Sequence, residues 1–561
     1  MEKKVLPQLP INISDWRSLR ESKCHFVDKT ALIPDLVTGQ RLAFLARPRR
    51  FGKSTLVSML AELFAYGDSS FEGLAVYGKW PERQRYPVVQ FNFMRFKYYS
   101  AQAAEQCLCY EVVSSFSSAL RDWGLTVPDE LFKLTDFTQV TACIEQILGA
   151  QEVVVLVDEW DYPLIAHFLE PKDCSIAEAA LTKFYQWLGQ LRNVHFALVT
   201  GITSCHSAAI LPAFTNLSLE PHYATLVGFT AAEVEANFAE YIEEGARRDE
   251  VDLEDVRAEI KAYYQGFCFE PTGQVRLYNP WDIVNYFKNL ADECSEEALE
   301  LGRHWINCTG ADDALYLLLE GDPFDLTAIM QAFADELVLT QAELTALMHD
   351  APWTLKTLLH QTGMFSIKDS TAQGDYLLGL TDIEMFHCWR DVLVEFLHDY
   401  NYSSLDDYTC SAASLKRALP ADLVHGELGS FCLKLNALLK LTDLTYVQPG
   451  GVYPALLAFW LTTEAWRINS HLIPEHNALE LSFRDLDQRL EHRYRLIIHE
   501  VKSFKPELLD APDFSAVPLP DDDCIHVHLM IARNCHQVVA LKILQQGYYP
   551  ITRLVEPQHE F

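Results

Sequence analysis

The alternation of short apolar runs with helical patterns constrains the fold of this chain more than any other feature. Between residue 1 and about residue 230, apolar runs of strand length alternate with segments, such as 54–64 and 176–191, whose apolar residues recur every three or four positions. The runs are 42–46, 88–93, 153–157 and 194–200. Apolar strands that alternate with helices are typical of a parallel sheet covered on both faces. The sequence therefore predicts an α/β domain in this half of the chain.

The first apolar run leads into a loop with the parts of a phosphate-binding site. In LAFLARPRRFGKSTLVSML, a polar turn separates the strand from a helix that is expected to begin at Ser54. In a P-loop, backbone N–H groups at a helix N-terminus bind phosphates, a lysine adds positive charge and the next hydroxyl holds Mg²⁺. Lys53 and Ser54 fit these roles, with Thr55 beside them. The strict pattern has a glycine five residues before Gly52, where this chain has Arg47.

Two further strand runs end in polar side chains. The run 153–157 leads into Asp158 and Glu159, and the run 194–200 ends at Thr200 and is followed by Ser204. An aspartate in that position can hold Mg²⁺, and a glutamate can polarise an attacking water. Ligands collect at the carboxyl ends of parallel strands. The three strand ends together predict a nucleoside triphosphate site.

The loop arginines leave three alternatives open. Guanidinium groups suit bidentate phosphate contacts, so Arg47, Arg49 and Arg50 could bind the phosphates of this chain's own nucleotide or reach the site of a neighbouring copy. The second case would require a homo-oligomer. The third alternative is a basic turn that balances nearby carboxylates.

The acidic charge is concentrated in the middle of the chain. The formal net charge is −33, and the average surface therefore repels nucleic acid, so that any contact with it must be local. Residues 1–289 carry 27 basic and 37 acidic side chains, residues 290–424 carry 6 and 24, and residues 425–561 carry 12 and 17. Within 290–424, apolar residues at helical spacing predict a helical connector, with helices at 314–319, 326–337, 340–348 and 386–397.

Cysteine usage and hydropathy indicate a cytoplasmic protein. The 14 cysteines include no CxxC pair, which favours reduced thiols over a disulfide framework or zinc module. No apolar run reaches the length of a membrane span, and no signal-peptide pattern is present at the N-terminus. We therefore expect no membrane partner.

The C-terminal region combines strands with a second group of charged side chains. The sequence predicts helices at 431–441, 453–466 and 536–546, and strands at 495–502 and 525–531. Glu500 and Lys502 would share one strand face, and a hairpin could bring Asp487 beside them. Two carboxylates and a lysine can bind Mg²⁺, generate hydroxide and stabilise phosphoryl charge. The alternative is an ordinary exposed edge strand, whose lysine deters edge pairing.

The N-terminal motifs resemble the predicted AAA-ATPase-like family, which is found mainly in bacteria. They stand in the family order: FVDKT (26–30), ARPRRFGKST (46–55), VVVLVDEWDYPL (153–164), LVTGITS (198–204), LVGFTAAEV (226–234), YYQGFCF (263–269) and LYNPWDIVNYF (277–287). In that family the loop reads RPRRFGKS, so an arginine in place of the first glycine is expected. With the resemblance we assign ATP binding to Arg49, Arg50, Phe51, Gly52, Lys53, Ser54, Thr55, Asp158 and Thr200. Ser54 and Asp158 would hold Mg²⁺, Glu159 would be catalytic, and Thr200 would be a sensor-like polar residue; Asp28 and Lys29 are signature positions of unassigned role.

The C-terminal region resembles the PD-(D/E)XK nuclease-like domains that follow the ATPase-like domain in some families. The matching pieces are Glu475 or Glu480, residues 484–487, residues 496–502, and Ala540 with Leu541 followed by Tyr548 and Tyr549. The resemblance implies Asp487, Glu500 and Lys502 as catalytic residues, with Asp487 and Glu500 as Mg²⁺ ligands and DNA or RNA as partner. The sequence departs from the pattern because no glycine precedes Arg484, Asp485 competes with Asp487, and Ile543 or Leu544 replaces a glutamine.

These observations predict three domains. They are an AAA-ATPase-like P-loop domain at 1–289, an acidic helical connector at 290–424 and an α/β restriction-endonuclease-like domain at 425–561. The expected function is ATP hydrolysis coupled to a metal-dependent nuclease. The alternative is a nucleotide-switched binding protein whose nuclease-like domain is catalytically inactive.

Overall fold

The structure, a computed structural model, describes most of the N-terminal half of the chain and separate segments of the rest. The described residues are 6–96, 98, 100–165, 171–204, 210–291, 299, 304, 337–345, 355–385, 388, 419, 428–441, 468–473, 478–484, 491–501, 525–532, 537–544 and 551–554. The chain divides into two compact units, one of Met1–Ala314 with Leu337–Phe386 and one of Leu315–Glu336 with His387–Phe561. Within the described ranges, no helix combines the length and the apolar content that a membrane crossing needs.

A five-stranded parallel sheet forms the centre of the first unit. Its strands are β1 (Leu42–Ala46), β2 (Val88–Asn92), β3 (Val153–Asp158), β4 (Val194–Gly201) and β5 (Thr215–Asn216). They lie in the order β2-β3-β4-β1-β5, and every pairing is parallel. All residues of β1 and β3 are buried, as expected for strands with helices on both faces. The predicted parallel α/β sheet is confirmed.

Helices cover both faces of this sheet. The helices of this region are α1 (Trp16–Ser22), α2 (Ile33–Gly39), α3 (Lys53–Tyr66), α4 (Ala101–Arg121), α5 (Phe137–Leu148), α6 (Tyr162–Ile165) and α7 (Pro171–Gln190). Alternate strand residues such as Phe44 and Val155 join the apolar core formed with α4, α5 and α7. The opposite face meets α3, where the Phe64 ring stacks on Phe196 at 5.3 Å between centroids. Each fully buried large apolar side chain contributes about 1.5–3 kcal/mol to folding.

A small antiparallel sheet with four helices follows the parallel sheet in the chain. Its strands are β6 (Phe229–Thr230), β7 (Gln265–Phe267) and β8 (Leu277–Tyr278), in the order β6-β8-β7. The helices are α8 (Ala231–Asp249), α9 (Leu253–Tyr264), α10 (Pro280–Tyr286) and α11 (Lys288–Ala291). Thr230 and Glu233 form a capping box that fixes the start of α8.

The signature residues Asp28 and Lys29 hold the N-terminal segment onto this framework. Lys29 Nζ donates to both carboxylate oxygens of Glu233, at 2.8 and 2.9 Å. The Asp28 carboxylate accepts hydrogen bonds from the backbone amides of Thr30 and Ala75. The role that the sequence left unassigned is therefore structural: these two residues connect the start of the chain to α8 and to the segment after α3.

The middle of the chain contains a β-sheet, so the prediction of a wholly helical connector is wrong. Strands β9 (Leu337–Leu339), β10 (Phe365–Ser370) and β11 (Tyr376–Leu380) pair antiparallel in the order β10-β11-β9, beside helices α12 (Gln341–Thr345) and α13 (Leu355–Thr362). The turn between β10 and β11 closes because Gly374 adopts a φ of +88°, a left-handed conformation that glycine reaches without strain. Helix α12 lies within the predicted helix 340–348, whereas the other three predicted helices lie almost entirely outside the described residues.

The described part of the second unit contains a six-stranded mixed sheet. It comprises β12 (Ile468–Ile473), β13 (Ala478–Arg484), β14 (Glu491–Val501), β15 (Ile525–Ala532), β16 (Gln537–Leu544) and β17 (Ile551–Leu554), together with helix α14 (Leu428–Leu441). The strands lie in sequence order, with β14 and β15 parallel and the other neighbours antiparallel. Strands β14 and β15 and helix α14 confirm the predictions there.

One C-terminal helix was predicted wrongly. Residues 537–544 form strand β16 instead of the helix expected at 536–546. This strand pairs with β15 on one side and β17 on the other, so its backbone groups find partners in the sheet. Sheet neighbours and the β-branched residues of QVVALKIL outweigh the helical spacing. The helix predicted at 453–466 lies outside the described residues.

Candidate nucleotide site

The strand register brings the predicted polar residues to one edge of the parallel sheet. Ala46 of β1 pairs with Gly201 of β4, and Asn92 of β2 pairs with Asp158 of β3. Because β4 lies between β1 and β3, Thr200 stands between the phosphate loop and the acidic pair. The loop, the acidic pair and Thr200 therefore meet at the carboxyl ends of the strands, where the sequence predicted a site.

The loop ends in an uncapped helix N-terminus. Gly52 is the N-cap residue of α3, has a φ of +97° and makes no side-chain cap hydrogen bond. A side chain at this φ would be strained, which explains the glycine. The first N–H groups of a helix have no partner within the helix and favour an anion, so this end of α3 suits a phosphate group.

Lys53 lies beneath the loop with its ammonium group among backbone carbonyls. The residue is 4% exposed, and Nζ donates to the carbonyl oxygens of Arg47 at 2.9 Å and Pro48 at 3.0 Å. An ammonium group has three N–H donors. Lys53 thus braces the loop and, within the described residues, keeps one donor for a phosphate oxygen.

Asp158 joins the hydroxyl groups of the loop and of β4. Ser54 Oγ donates to Asp158 Oδ2 at 2.6 Å, and Thr200 Oγ1 donates to Asp158 Oδ1 at 2.7 Å. Asp158 is only 8% exposed and forms no ion pair with a cationic side chain of the described residues. A buried carboxylate next to a hydroxyl offers the hard oxygen ligands that Mg²⁺ prefers. The residues present therefore fit a magnesium nucleotide.

Glu159 has a strained backbone at the end of β3. Its φ is +54°, which is uncommon for a residue with a side chain and costs about 1–3 kcal/mol. The backbone is held there because Glu159 N donates to Asp158 Oδ1 at 3.2 Å and Trp160 N donates to the Thr200 carbonyl at 3.0 Å. Glu159 itself is half-buried and follows the metal-binding candidate directly.

Asp161 is a site residue whose contribution sequence reasoning missed. Asp161 is completely buried, and its carboxylate accepts hydrogen bonds from the backbone amides of Ile202 and Thr203. Burial, and secondly the charge of Glu159, raise the pKa of Asp161 to about 7. Asp161 thereby fastens the end of β3 to the segment after β4. The only signal in the sequence is the second aspartate of Asp-Glu-Trp-Asp.

Arg47 is a buried structural support of the loop. Its guanidinium donates to the carbonyl oxygens of Ser218 at 2.7 Å and Tyr223 at 3.2 Å, and its Cζ lies 4.2 Å from the centroid of the Phe269 ring. The side chain is completely buried, and burial lowers its pKa to about 9. Arg47 replaces the first glycine without strain, since its φ is not positive. Its hydrogen bonds inside the protein explain why an arginine stands there.

Replacing Arg47 with methionine is expected to destabilise the first unit by about 2–4 kcal/mol, because buried carbonyl groups lose their donors. Denaturant unfolding measures the change. Arg50→Met is the matched control, because Arg50 is exposed and its expected cost is below about 1 kcal/mol. Equal effects of the two variants would contradict the supporting role of Arg47.

The other loop residues differ in exposure. Phe51 is completely buried edge-to-face against Phe267 and Phe269, with centroids 4.9 and 5.1 Å away, so only its backbone is available to a nucleotide. Arg50 is exposed, has a φ of +64° and lies with its Cζ 4.3 Å from the centroid of the Trp281 ring. Arg49 and Thr55 are half-buried, and Thr55 stands in the first turn of α3.

The candidate nuclease residues fall largely outside the described part of the chain. Asp487 and Lys502 lie outside it, as do the alternatives Asp485 and Glu475, and for Glu500 only the backbone in β14 is described. Glu500 pairs with Ile531 of β15. Glu480 lies on β13. Among the described residues there is no group of three or more histidine, cysteine or acidic side chains arranged for a metal.

Comparison with known proteins gives a family match in the N-terminal region. Residues 10–211 match the model of a family described as predicted AAA-ATPase. A protein from Azotobacter chroococcum mcd 1, described as an uncharacterized protein in the vnfD 5′ region, is 28% identical over 365 residues, which are 64% of this chain and 64% of that protein. This chain thus spans less than two thirds of that relative.

Two solved structures are also similar. One is a STAND (Signal Transduction ATPase with Numerous Domains) protein with a tetratricopeptide repeat sensor from Pyrococcus horikoshii, with 12% identity, a TM-score of 0.19, and coverage of 82% of this chain and 55% of that one. The other is the ORC2 protein of Aeropyrum pernix in ADPNP-ADP complexes, with 11% identity, a TM-score of 0.22, and coverage of 71% and 97%. The family match, together with the parallel sheet and its loop, supports a P-loop ATPase-like fold for residues 10–211, and the similarity to the predicted AAA-ATPase family implies nucleotide binding.

Proposed function

We propose that the N-terminal unit binds ATP with Mg²⁺ and hydrolyses it. The observation that carries this proposal is the pair of hydrogen bonds that bring Ser54 and Thr200 onto Asp158 beside the loop braced by Lys53. Mg²⁺, when bound, would neutralise the charge that develops on the phosphates. Within the chain, the amides at the start of α3 and the Lys53 ammonium bind phosphate oxygens, and Ser54 and Asp158 hold the ion.

Hydrolysis also requires an ordered water and a fixed metal ligand. Glu159 is the base that orients and polarises the water, because its carboxylate follows Asp158 at the same sheet edge. Thr200 keeps the Asp158 carboxylate in one orientation through its 2.7 Å hydrogen bond. The strained backbone of Glu159 supports this assignment, since such strain collects at functional sites.

The C-terminal region is proposed to be a PD-(D/E)XK nuclease-like domain that acts on DNA or RNA. Asp487 and Glu500 would hold Mg²⁺, and Lys502 would be a catalytic residue beside them. Strand β14, which carries Glu500, lies between β13 and β15, which argues against the alternative of an ordinary edge strand. Strand β13 pairs with the first part of β14, whereas the last residues of β14, including Glu500, pair with β15. The near-balanced charge of residues 425–561 suits a local nucleic-acid surface better than the acidic middle does.

Coupling between the two activities completes the proposal. We assign the ATPase to 1–289, the connector to 290–424 and the nuclease-like domain to 425–561. Part of the connector, Leu337–Phe386, belongs to the same compact unit as the ATPase core. A nucleotide-dependent change in the core therefore has a direct route into the connector.

A nucleotide-switched binding protein is the second candidate. Its support is the departure of the C-terminal region from the nuclease pattern: strand β16 carries Ile543 and Leu544 where a glutamine is expected. In that case the last domain would bind nucleic acid without cutting it.

One experiment separates these functions. Labelled single- and double-stranded DNA and RNA are incubated with the full chain and Mg²⁺, with and without ATP, while phosphate release and cleavage are both measured. We expect Mg²⁺-dependent phosphate release, and cleavage that Glu500→Ala abolishes without changing phosphate release. Phosphate release without cleavage of any substrate by the wild type would favour the binding protein, and absence of both activities would refute the proposed enzyme.

A further inference from the structure

Helix α13 and the turn after it lie against the candidate nucleotide site. Gln361 Oε1 accepts a hydrogen bond from the backbone amide of Ser204 at 2.7 Å and lies 3.4 Å from its hydroxyl. Two residues later, Gly363 has a φ of +90°, and a Cβ there would lie 2.9 Å from Cγ of Pro48 in the phosphate loop. The segment after β9 thus contacts both the loop and the end of β4.

Ser204 is the last residue of the segment 200–204, which hydrogen bonds anchor at three places. The Thr200 hydroxyl donates to Asp158, the amides of residues 202 and 203 donate to Asp161, and the Ser204 amide donates to Gln361. The first two anchors come from β3 and the residues directly after it. Gln361 supplies the third from a part of the chain 157 residues away.

Gln361 is itself held firmly. It is 7% exposed, and its helix leads into a turn where Thr381 Oγ1 donates to the Gly363 carbonyl at 2.6 Å. Strand β10 is connected to the small sheet, because Arg276 Nη1 donates to the Ile367 carbonyl at 2.7 Å. A buried acceptor on a well-anchored support restrains the Ser204 amide more strongly than a mobile surface side chain would.

We propose that Gln361 is a positioning residue for ATP hydrolysis, which acts through Ser204 to keep the segment 200–204, and with it Thr200, in place on Asp158. This inference rests on the proposed ATPase function. It also gives residues 355–385 a regulatory role: a movement of α13 changes the position of Thr200, and nucleotide-induced movement of the segment 200–204 is transmitted to α13. By reciprocity, the two effects have the same coupling energy.

The test uses the full chain with Gln361→Met, which keeps the size of the side chain and removes the acceptor, and Gln361→Glu, which keeps an acceptor oxygen. Gln373→Met is the matched control, since Gln373 is exposed in the turn between β10 and β11. We expect Gln361→Met to lower kcat about tenfold while the Kd for ATP changes less than about twofold, the pattern of an interaction that matters in the transition state. Gln361→Glu is expected to restore most of the rate, and Gln373→Met to match the wild type.

Hydrogen exchange of the nucleotide-free protein gives a readout that does not depend on activity. The Ser204 amide is expected to exchange faster in Gln361→Met than in the wild type, and Gln361→Glu to restore its protection. If Gln361→Met does not fold, Gln361→Asn replaces it in the same comparison, because the shorter side chain moves the acceptor oxygen away from the Ser204 amide. A wild type that hydrolyses ATP alongside an unchanged Gln361→Met variant would overturn this inference alone, whereas a wild type without hydrolysis would overturn the proposed function as well.

Discussion

Replacing Lys53 with alanine is expected to weaken ATP binding by about 10- to 100-fold, which corresponds to losing about 1.5–3 kcal/mol of a charge-assisted contact. Lys53 is the first residue of α3 and lies at the phosphate end of the loop with 4% of its surface exposed. The substitution removes the positive charge, and it also removes the brace that the ammonium forms with the carbonyls of Arg47 and Pro48. Calorimetric titration with ATP and Mg²⁺ measures the change.

Lys53→Met also removes the ammonium, and with it the charge and the brace, but keeps apolar bulk beneath the loop. If the ammonium dominates, Lys53→Met and Lys53→Ala lose affinity equally; if the packing of the side-chain stem also matters, Lys53→Ala additionally loses thermal stability. Lys79→Ala is the control, since Lys79 is exposed on a turn after α3 and far along the chain from the loop. Wild-type affinity in Lys53→Ala would remove the basis of the proposed ATP site.

The core of the candidate site was predictable because parallel strands carry simple rules. Buried apolar runs that alternate with helices lead to a parallel sheet, and the carboxyl ends of its strands share an edge. Ser54, Asp158 and Thr200 each follow or end such a run, so their meeting could be expected without knowledge of the strand order. The order itself, with β4 between β1 and β3, explains why Thr200 rather than another residue contacts Asp158.

The supports of the site could not be predicted because their partners are backbone groups far away in the chain. Arg47 binds the carbonyls of Ser218 and Tyr223, which are 171 and 176 residues away. Gln361 binds a backbone amide, and backbone groups carry no sequence signal that a motif could reveal. An arginine in a basic turn therefore offered phosphate binding, action in trans and charge balance as equal alternatives, and only the packing distinguishes them.

The strands that the sequence did not predict also form through contacts with partners elsewhere in the chain. Residues 537–544 show apolar spacing compatible with a helix, yet they pair with strands on both sides. Strands β10 and β11 also depend on pairing, which a turn with a left-handed glycine allows. Local spacing decides the structure of long segments, whereas short apolar segments adopt the structure that their neighbours can complete.

Replacing Glu159 with glutamine is expected to lower kcat for ATP hydrolysis by about 100-fold or more, while ATP affinity stays within about threefold of the wild type. Glutamine has the same shape as glutamate, so the left-handed backbone at this position and the hydrogen bond from its backbone amide to Asp158 should persist. The side-chain amide of glutamine cannot accept a proton from water, and only the chemical step is therefore lost. Single-turnover phosphate release and a binding titration measure the two quantities.

Glu152→Gln is the matched control, because Glu152 immediately precedes the other end of β3, where its carboxylate lies near His195. This control should hydrolyse ATP normally, and equal losses in both variants would contradict a special role for Glu159.

A Glu159→Gln protein that binds ATP without turnover also separates binding from hydrolysis in the coupling to the last domain. If ATP binding alone drives the connector, this variant with ATP should cleave or bind nucleic acid as the wild type does. If hydrolysis is required, the variant should behave like the wild type without ATP, because its core is held before the chemical step.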